Sequence, residues 1–166
     1  MDTLVLGIGN EIKRDDVIGL DVVEALEARL DRPGVAFETM NSGRLLLIDE
    51  LSGHDRVCIV DSIVTEDGEP GDWYAFDPQA VEPDRESGGL ATHNVGLGTL
   101  TTLGEAMGES MPAITIYAIE VADPFEYGEG MTDPVREAVP ALIDEIGDEI
   151  ERELAADEGQ NAVGRS

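Results

Sequence analysis

The sequence predicts an α/β domain: a mainly parallel, twisted sheet of about five strands with helices on both faces. Three observations carry this. Short apolar runs alternate with amphipathic stretches along the whole chain. The first run, Thr3 to Ile8, is nearly all apolar, as a strand covered on both faces must be. That run also opens a unit of strand, glycine turn, polar loop and helix, LVLGIGNEIKRDDVIGLDVV, over residues 4–23. In open α/β sheets, functional groups gather where the carboxyl ends of strands meet the following loops. Asp15 and Asp16 stand there, at the entry to the first helix. They are candidates for caps that complement the helix dipole, or for metal ligands or acid/base groups.

The elements follow in order. A first helix spans Val17 to Leu30, with Ile18, Val22, Ala25, Leu26 and Leu30 on one side, and Pro33-Gly34 ends it. Val35 to Met40 is a second strand, closed by the turn Asn41-Ser42-Gly43. A short helix covers Arg44 to Leu51, and a third strand covers Arg56 to Val60, running directly into Asp61. Trp73 to Phe76 reads as a short edge strand whose aromatic rings serve packing. The irregular stretch Asp77 to Thr92 has the length of a functional loop. A third helix, weakened by glycines, runs from Asn94 to Met107, and Ala113 to Ile119 is the last strand. Thr132-Asp133-Pro134 starts the final helix, with Thr132 as N-cap and proline in the first turn. That helix is expected to end near Leu154, its face formed by Val135, Val139, Leu142, Ile143, Ile146 and Ile150. The expected organisation is one domain over residues 1–154 and a disordered tail over 155–166.

Composition excludes several classes. The 166 residues hold 37 acidic and 10 basic side chains, a formal charge of −27, and lysine occurs once, at Lys13. Such a surface repels nucleic acid and anionic membranes, and no apolar run reaches membrane-spanning length. No charged n-region or cleavage site precedes the first strand, so a cytoplasmic location is expected, and a monomer is the default. Cys58 is the lone cysteine, inside the run VCIV, and reads as a small buried apolar residue. The acids are spread along the chain, which points to adaptation to high salt and a halophilic host. Self-repulsion at this charge destabilises the compact state, and salt screens it. Dialysis from concentrated salt into dilute buffer is therefore expected to unfold the chain. An unchanged circular dichroism spectrum would contradict this.

Three residues fall at the loops that carry chemistry. Asp16 follows the first strand, Asp61 follows the third, and His93 opens the third helix after the long loop. Two carboxylates and an imidazole make an oxygen and nitrogen metal site with open positions, suited to zinc or nickel. Each also has a plainer role, Asp61 capping a turn and His93 sitting beside an N-cap Thr92. His54, the other histidine, reads as a solvent-exposed turn residue. H-E-x-x-H, C-x-x-C and G-x-S-x-G motifs are all missing. Gly7 and Gly9 lack the third glycine of a dinucleotide fingerprint, Ile12 standing in its place, and no acid ends the second strand. The glycines are read as permitting a tight turn.

The blocks LVLGIGN, DDVIGLDVVEAL, VDSIV, THNVGL and AITIYAIE with its acidic loop occur in an order that resembles the hydrogenase maturation peptidases, over roughly residues 3–154. The resemblance implies a three-layer α/β/α sandwich. It implies an endopeptidase that removes a C-terminal extension from the large-subunit precursor of a nickel–iron hydrogenase, or from a related nickel protein, after nickel insertion. It implies nickel ligands at Asp16, Asp61 and His93, the nickel being supplied by the precursor. Two routes to cleavage stay open: the metal polarises the carbonyl or activates water, or one of Asp16 and Asp61 acts as base on water. Family members often carry a Gly-Gly-Thr type turn after the second strand, associated with precursor recognition. Here Asn41, Ser42 and Gly43 keep only part of that pattern. Two other functions compete: a metal-sensing or chaperone-like binding protein that cuts nothing, and a nucleotide-binding domain using Gly7 and Gly9.

Overall fold

The computed structural model describes residues 2–30, 32–41, 53–77, 108 and 112–163, with side chains as far as residue 156. The expected helices at 44–51 and 94–107, the loop at 78–92, Ser42, Gly43 and His93 lie outside the described residues.

Five strands form one sheet: β1 (Thr3–Gly9), β2 (Val35–Asn41), β3 (Arg56–Ile63), β4 (Trp73–Phe76) and β5 (Ala113–Glu120). Their spatial order is β2-β1-β3-β5-β4. All neighbours are parallel except β4, which closes one edge antiparallel to β5. Two long helices are described, α1 (Ile18–Arg29) and α2 (Asp133–Val163), and a single 3₁₀ turn over Arg14–Val17 leads into α1. The chain is thus the mostly parallel α/β fold that its alternating pattern predicts.

Strand periodicity divides the core into two layers. On one face Val5, Cys58, Val60, Tyr117 and Ile119 meet Ile18, Val22 and Leu26 of α1 and Val135, Leu142, Ile146 and Ile150 of α2. On the other, Leu4, Leu6, Ile8, Val57, Ile59, Ile116 and Ala118 are buried as well. Burial on both faces explains why β1 is apolar at nearly every position rather than at alternate ones. Cys58 is fully buried, and Trp73 packs its ring 6.1 Å from that of Tyr117, so both serve the core.

Arg29 ties the two helices together. Its guanidinium donates to the Ile143 carbonyl at 2.8 Å and to the Asp144 and Asp148 carboxylates at 2.9 and 2.5 Å. Acid crowding is felt locally at Asp21 in the first turn of α1. Its pKa is raised by partial burial first, then by the nearby Glu24 and Glu11 carboxylates.

Several boundaries differ from the sequence reading. β3 continues through Ile63, so Asp61 sits within the strand rather than after it. The strand persists because Asp61, Ser62 and Ile63 stay in register with Ala118, Ile119 and Glu120 of β5. α2 extends to Val163, so residues 155–163, expected as a disordered tail, are helical. His54 is not solvent-exposed: its side chain is 21% accessible, and its Nδ1 lies 3.2 Å from Asp2 Oδ1.

The glycines of β1 also differ from expectation. Gly7 and Gly9 are strand residues of ordinary φ, so a tight turn is not their purpose. They permit close approach. A Cβ at Gly7 would lie 2.4 Å from the Gly19 carbonyl oxygen, and one at Gly9 would lie 2.2 Å from that of Asp16. Gly19 completes the contact from the helix side, since its own Cβ would lie 2.4 Å from Ile8 O and 2.6 Å from Val60 O. Three glycines thus let the first turn of α1 rest directly on the carboxyl ends of β1 and β3.

Candidate active site at the carboxyl edge of the sheet

The chain leaves β1 towards β2 on one side, then crosses back to place β3 on the other. The direction of winding therefore reverses between β1 and β3. At such a switch point the loops diverge and leave a crevice at the carboxyl edge, where α/β proteins bind ligands. Asp16 lies at this edge in the 3₁₀ turn that follows β1, and Asp61 lies in β3 close to its end. Both are fully buried.

Ser62 joins the two carboxylates. Its hydroxyl donates to Asp16 Oδ1 at 2.6 Å, and its backbone N–H donates to Asp61 Oδ1 at 2.8 Å. Hydrogen bonds to an ionised carboxylate are shorter and stronger than neutral ones, so one residue fixes the orientation of both acids. By strand alternation Asp61 lies on the face of Ile59 and Ile63, whereas Ser62 lies on the face of Val60, where it meets Asp16. Ser62 thus links two buried carboxylates across the sheet, and each is costly to bury unless it is hydrogen-bonded or paired with a cation. Their chemistry fits a divalent metal, or an acid and base pair acting on water. Among the described residues no group of three or more His, Cys, Asp or Glu assembles as a metal site. The third expected ligand, His93, lies outside those residues.

Asp15 and Asp16 are adjacent yet have different tasks. In a 3₁₀ turn successive side chains diverge by a third of a turn, so neighbours face different partners. Asp16 turns to β3. Asp15 turns to the loop after β5, where Oδ2 accepts the Ala122 and Asp123 amides at 3.0 and 2.7 Å. Its Oδ1 accepts the Thr132 amide at 2.7 Å, and the Thr132 hydroxyl donates to both oxygens. Neither acid is a helix cap: Lys13 and Val17 occupy the N-cap positions, and neither makes a side-chain capping bond. Thr132 does stand at the entry of α2, where its carbonyl accepts the Arg136 amide at 2.9 Å, with its hydroxyl committed to Asp15.

The backbone pays for this arrangement at Arg14, whose φ of 34° is left-handed. A non-glycine residue there is strained, and such strain persists only where surrounding contacts fix it. The contacts are a strap between two loops. Arg14 N donates to Gly128 O at 3.2 Å, Gly128 N to Ile12 O at 2.8 Å, and Asp15 N to Asp123 O at 3.0 Å.

Asn41 ends β2 opposite Gly9, on the same edge as Asp16. Sequence reasoning missed Ser62, whose only signal is its place directly after Asp61, and it missed the structural task of Asp15. It also missed Glu120, which ends β5 fully buried. That carboxylate accepts the Thr65 amide at 3.2 Å and the Thr65 hydroxyl, which fixes the loop between β3 and β4.

Fold and site together define an α/β protein with two buried carboxylates, linked through Ser62, at the carboxyl edge of its sheet by the switch point. A family model described as Hydrogenase maturation protease matches residues 20–149. The Hydrogenase 2 maturation protease of Escherichia coli K12 is 30% identical over 148 residues, covering 88% of each chain. The hydrogenase expression/formation protein HupD of Rhizobium leguminosarum bv. viciae is 27% identical over 143 residues, covering 85% of this chain and 70% of that one. Among solved structures, the hydrogenase maturating endopeptidase HybD from E. coli superposes with a TM-score of 0.74 at 22% identity, covering 92% of this chain and 94% of that one. The chain belongs to the hydrogenase maturation protease family, and is a hydrolase of the peptidase class.

Proposed function

We propose that the chain is an endopeptidase that recognises nickel in the large-subunit precursor of a nickel–iron hydrogenase and removes its C-terminal extension. The observation that supports this most is the link from Asp16 to Asp61 through Ser62, at the carboxyl edge of the sheet of a family member. Asp16, Asp61 and His93 hold the nickel that arrives with the precursor. Cleavage then waits on metallation, because the nickel carried by the precursor is what these ligands grip to position the scissile segment. Nickel held by these residues would polarise a carbonyl or activate water; alternatively, Asp16 or Asp61 would act as general base on water. Asn41, the last residue of β2, and Ser42 and Gly43, which follow it in sequence, contribute to recognition of the precursor. We assign the activity to a monomer in the cytoplasm of a salt-adapted host, where concentrated salt offsets a charge of −27.

The test uses the large-subunit precursor from the same genome, nickel-loaded and nickel-free, in concentrated potassium chloride. Mass spectrometry is expected to show loss of the C-terminal extension from the loaded form alone. Nickel titration separates the site from loose binding by the acidic surface: one saturable site is expected in the wild type and none in Asp61→Ala or His93→Ala. Equal cutting of both precursor forms, or cutting of neither, rejects the reading.

A further inference from the structure

Ser62 is a polar residue in an apolar layer. By strand alternation it shares the face of Val60, in the cluster that includes Ile18 of α1 and its register partner Ile119 of β5, and only 2% of it is exposed. A hydroxyl buried there costs free energy unless it is hydrogen-bonded. The bond that offsets this cost goes to Asp16 Oδ1, at 2.6 Å. The bond to Asp61 comes from the Ser62 main chain, so any residue but proline at this position would supply it. The hydroxyl therefore acts on Asp16 alone.

Asp16 is thereby held at two points. Its carbonyl rests against β1, where a Cβ at Gly9 would lie 2.2 Å away, and its carboxylate is pinned to β3. The first contact seats the main chain, and the second selects the side-chain rotamer. Asp15 is fixed differently, by three backbone amides besides the Thr132 hydroxyl, as suits a structural carboxylate. For Asp16 a side chain from another strand does the orienting. A group that hydrogen-bonds a metal-ligating carboxylate orients it and tunes its affinity. A carboxylate already oriented also loses less freedom when the ion arrives.

We propose that Ser62 is a positioning residue for metal capture, its hydroxyl holding the Asp16 carboxylate in the orientation that grips nickel. The inference rests on the reading of Asp16 as a nickel ligand given above. Ser62 touches neither the metal nor the scissile bond. It acts through Asp16, and the effect of removing it is read in affinity for the ion.

The experiment titrates nickel(II) alone into the full chain in concentrated potassium chloride by calorimetry, with the thermal midpoint measured on the same samples. It compares the wild type with Ser62→Ala, Ser62→Thr and Thr65→Ala. Ser62→Ala is expected to keep one saturable site and to bind nickel about tenfold to a hundredfold more weakly. Ser62→Thr returns a hydroxyl and is expected to recover most of that loss. Thr65→Ala takes a hydroxyl from the buried Glu120 carboxylate instead. It is expected to lower the midpoint with nickel affinity as in the wild type, which separates lost stability from lost positioning. If the threonine methyl overpacks the site, seen as a lowered midpoint, the comparison of Ser62→Ala with Thr65→Ala decides. Wild-type affinity in Ser62→Ala overturns the positioning role and leaves the nickel site and the peptidase reading intact. Affinity that falls equally in Ser62→Ala and Thr65→Ala follows stability, and also overturns it. A wild type with no saturable site overturns the ligand reading and this inference together.

Discussion

Asp15→Ala is expected to cost the fold about 3–5 kcal/mol, although Asp15 is not one of the two acids that Ser62 links. Its buried carboxylate accepts three backbone amides, those of Ala122, Asp123 and Thr132, and the Thr132 hydroxyl. A hydrogen bond to a charged acceptor is worth roughly 1.5–3 kcal/mol, and its loss leaves a partly buried donor unsatisfied. Three such bonds on one group do not add fully, which places the total at about 3–5 kcal/mol rather than at their sum. A domain has only about 5–15 kcal/mol of stability to lose. The Asn variant does little better, because its NH₂ turns a donor towards donors. Urea unfolding in concentrated potassium chloride measures the effect, and hydrogen exchange at Ala122 and Asp123 locates it. A loss under about 1 kcal/mol would mean that water replaces the carboxylate at these amides, against the burial seen here.

Asp15 also shows what a sequence discloses and what it withholds. The alternation of apolar and amphipathic stretches predicts the five strands, their mostly parallel sense and both described helices, because burial on one or both faces imposes a period on the chain itself. Cys58 and Trp73 are legible as core residues for the same reason. The site is legible only as far as position along the chain. Asp16 and Asp61 stand near the carboxyl ends of strands, and Ser62 links the two. Which of two adjacent acids faces β3 depends on the 3₁₀ twist of Arg14–Val17, and that twist is stabilised by a loop more than a hundred residues away. No local pattern encodes it. Ser62 is hidden for a related reason: a serine within a strand looks like any tolerated small polar residue until Asp16 is beside it. The apolar run of β3 stops at Val60, so the sequence ends the strand there, yet pairing with β5 carries it through Asp61 to Ile63. Gly7 and Gly9 invite a turn reading, since the partner that requires them, Gly19, becomes adjacent only in three dimensions.

Gly19→Ala is expected to destabilise the protein by about 2–3 kcal/mol, against the usual sign of that substitution. Inside a helix, replacing glycine by alanine ordinarily gains up to about 1 kcal/mol, from lower backbone entropy in the unfolded chain. Here the new methyl meets two backbone oxygens, 2.4 Å from that of Ile8 and 2.6 Å from that of Val60. Neither belongs to a side chain that can rotate away. They are carbonyls of adjacent strands in the middle of the sheet. Overpacking typically costs about 1–3 kcal/mol, and a clash with fixed backbone on two strands lies at or above the top of that range. The clash therefore outweighs the propensity gain. Relief requires the first turn of α1 to lift off the sheet. That turn follows directly on Asp16, whose carbonyl rests against Gly9 and whose carboxylate receives the Ser62 hydroxyl. A displacement of about an ångström breaks a hydrogen bond of this length. Gly19→Ala is therefore expected to lose stability and the saturable nickel site together, whereas Asp61→Ala loses the site with α1 still seated. Thermal unfolding and nickel titration on the same samples separate the two. If Gly19→Ala keeps both its midpoint and its nickel site, α1 has room to retreat without moving Asp16, and the close seat of the helix on β1 and β3 does not position the carboxylates.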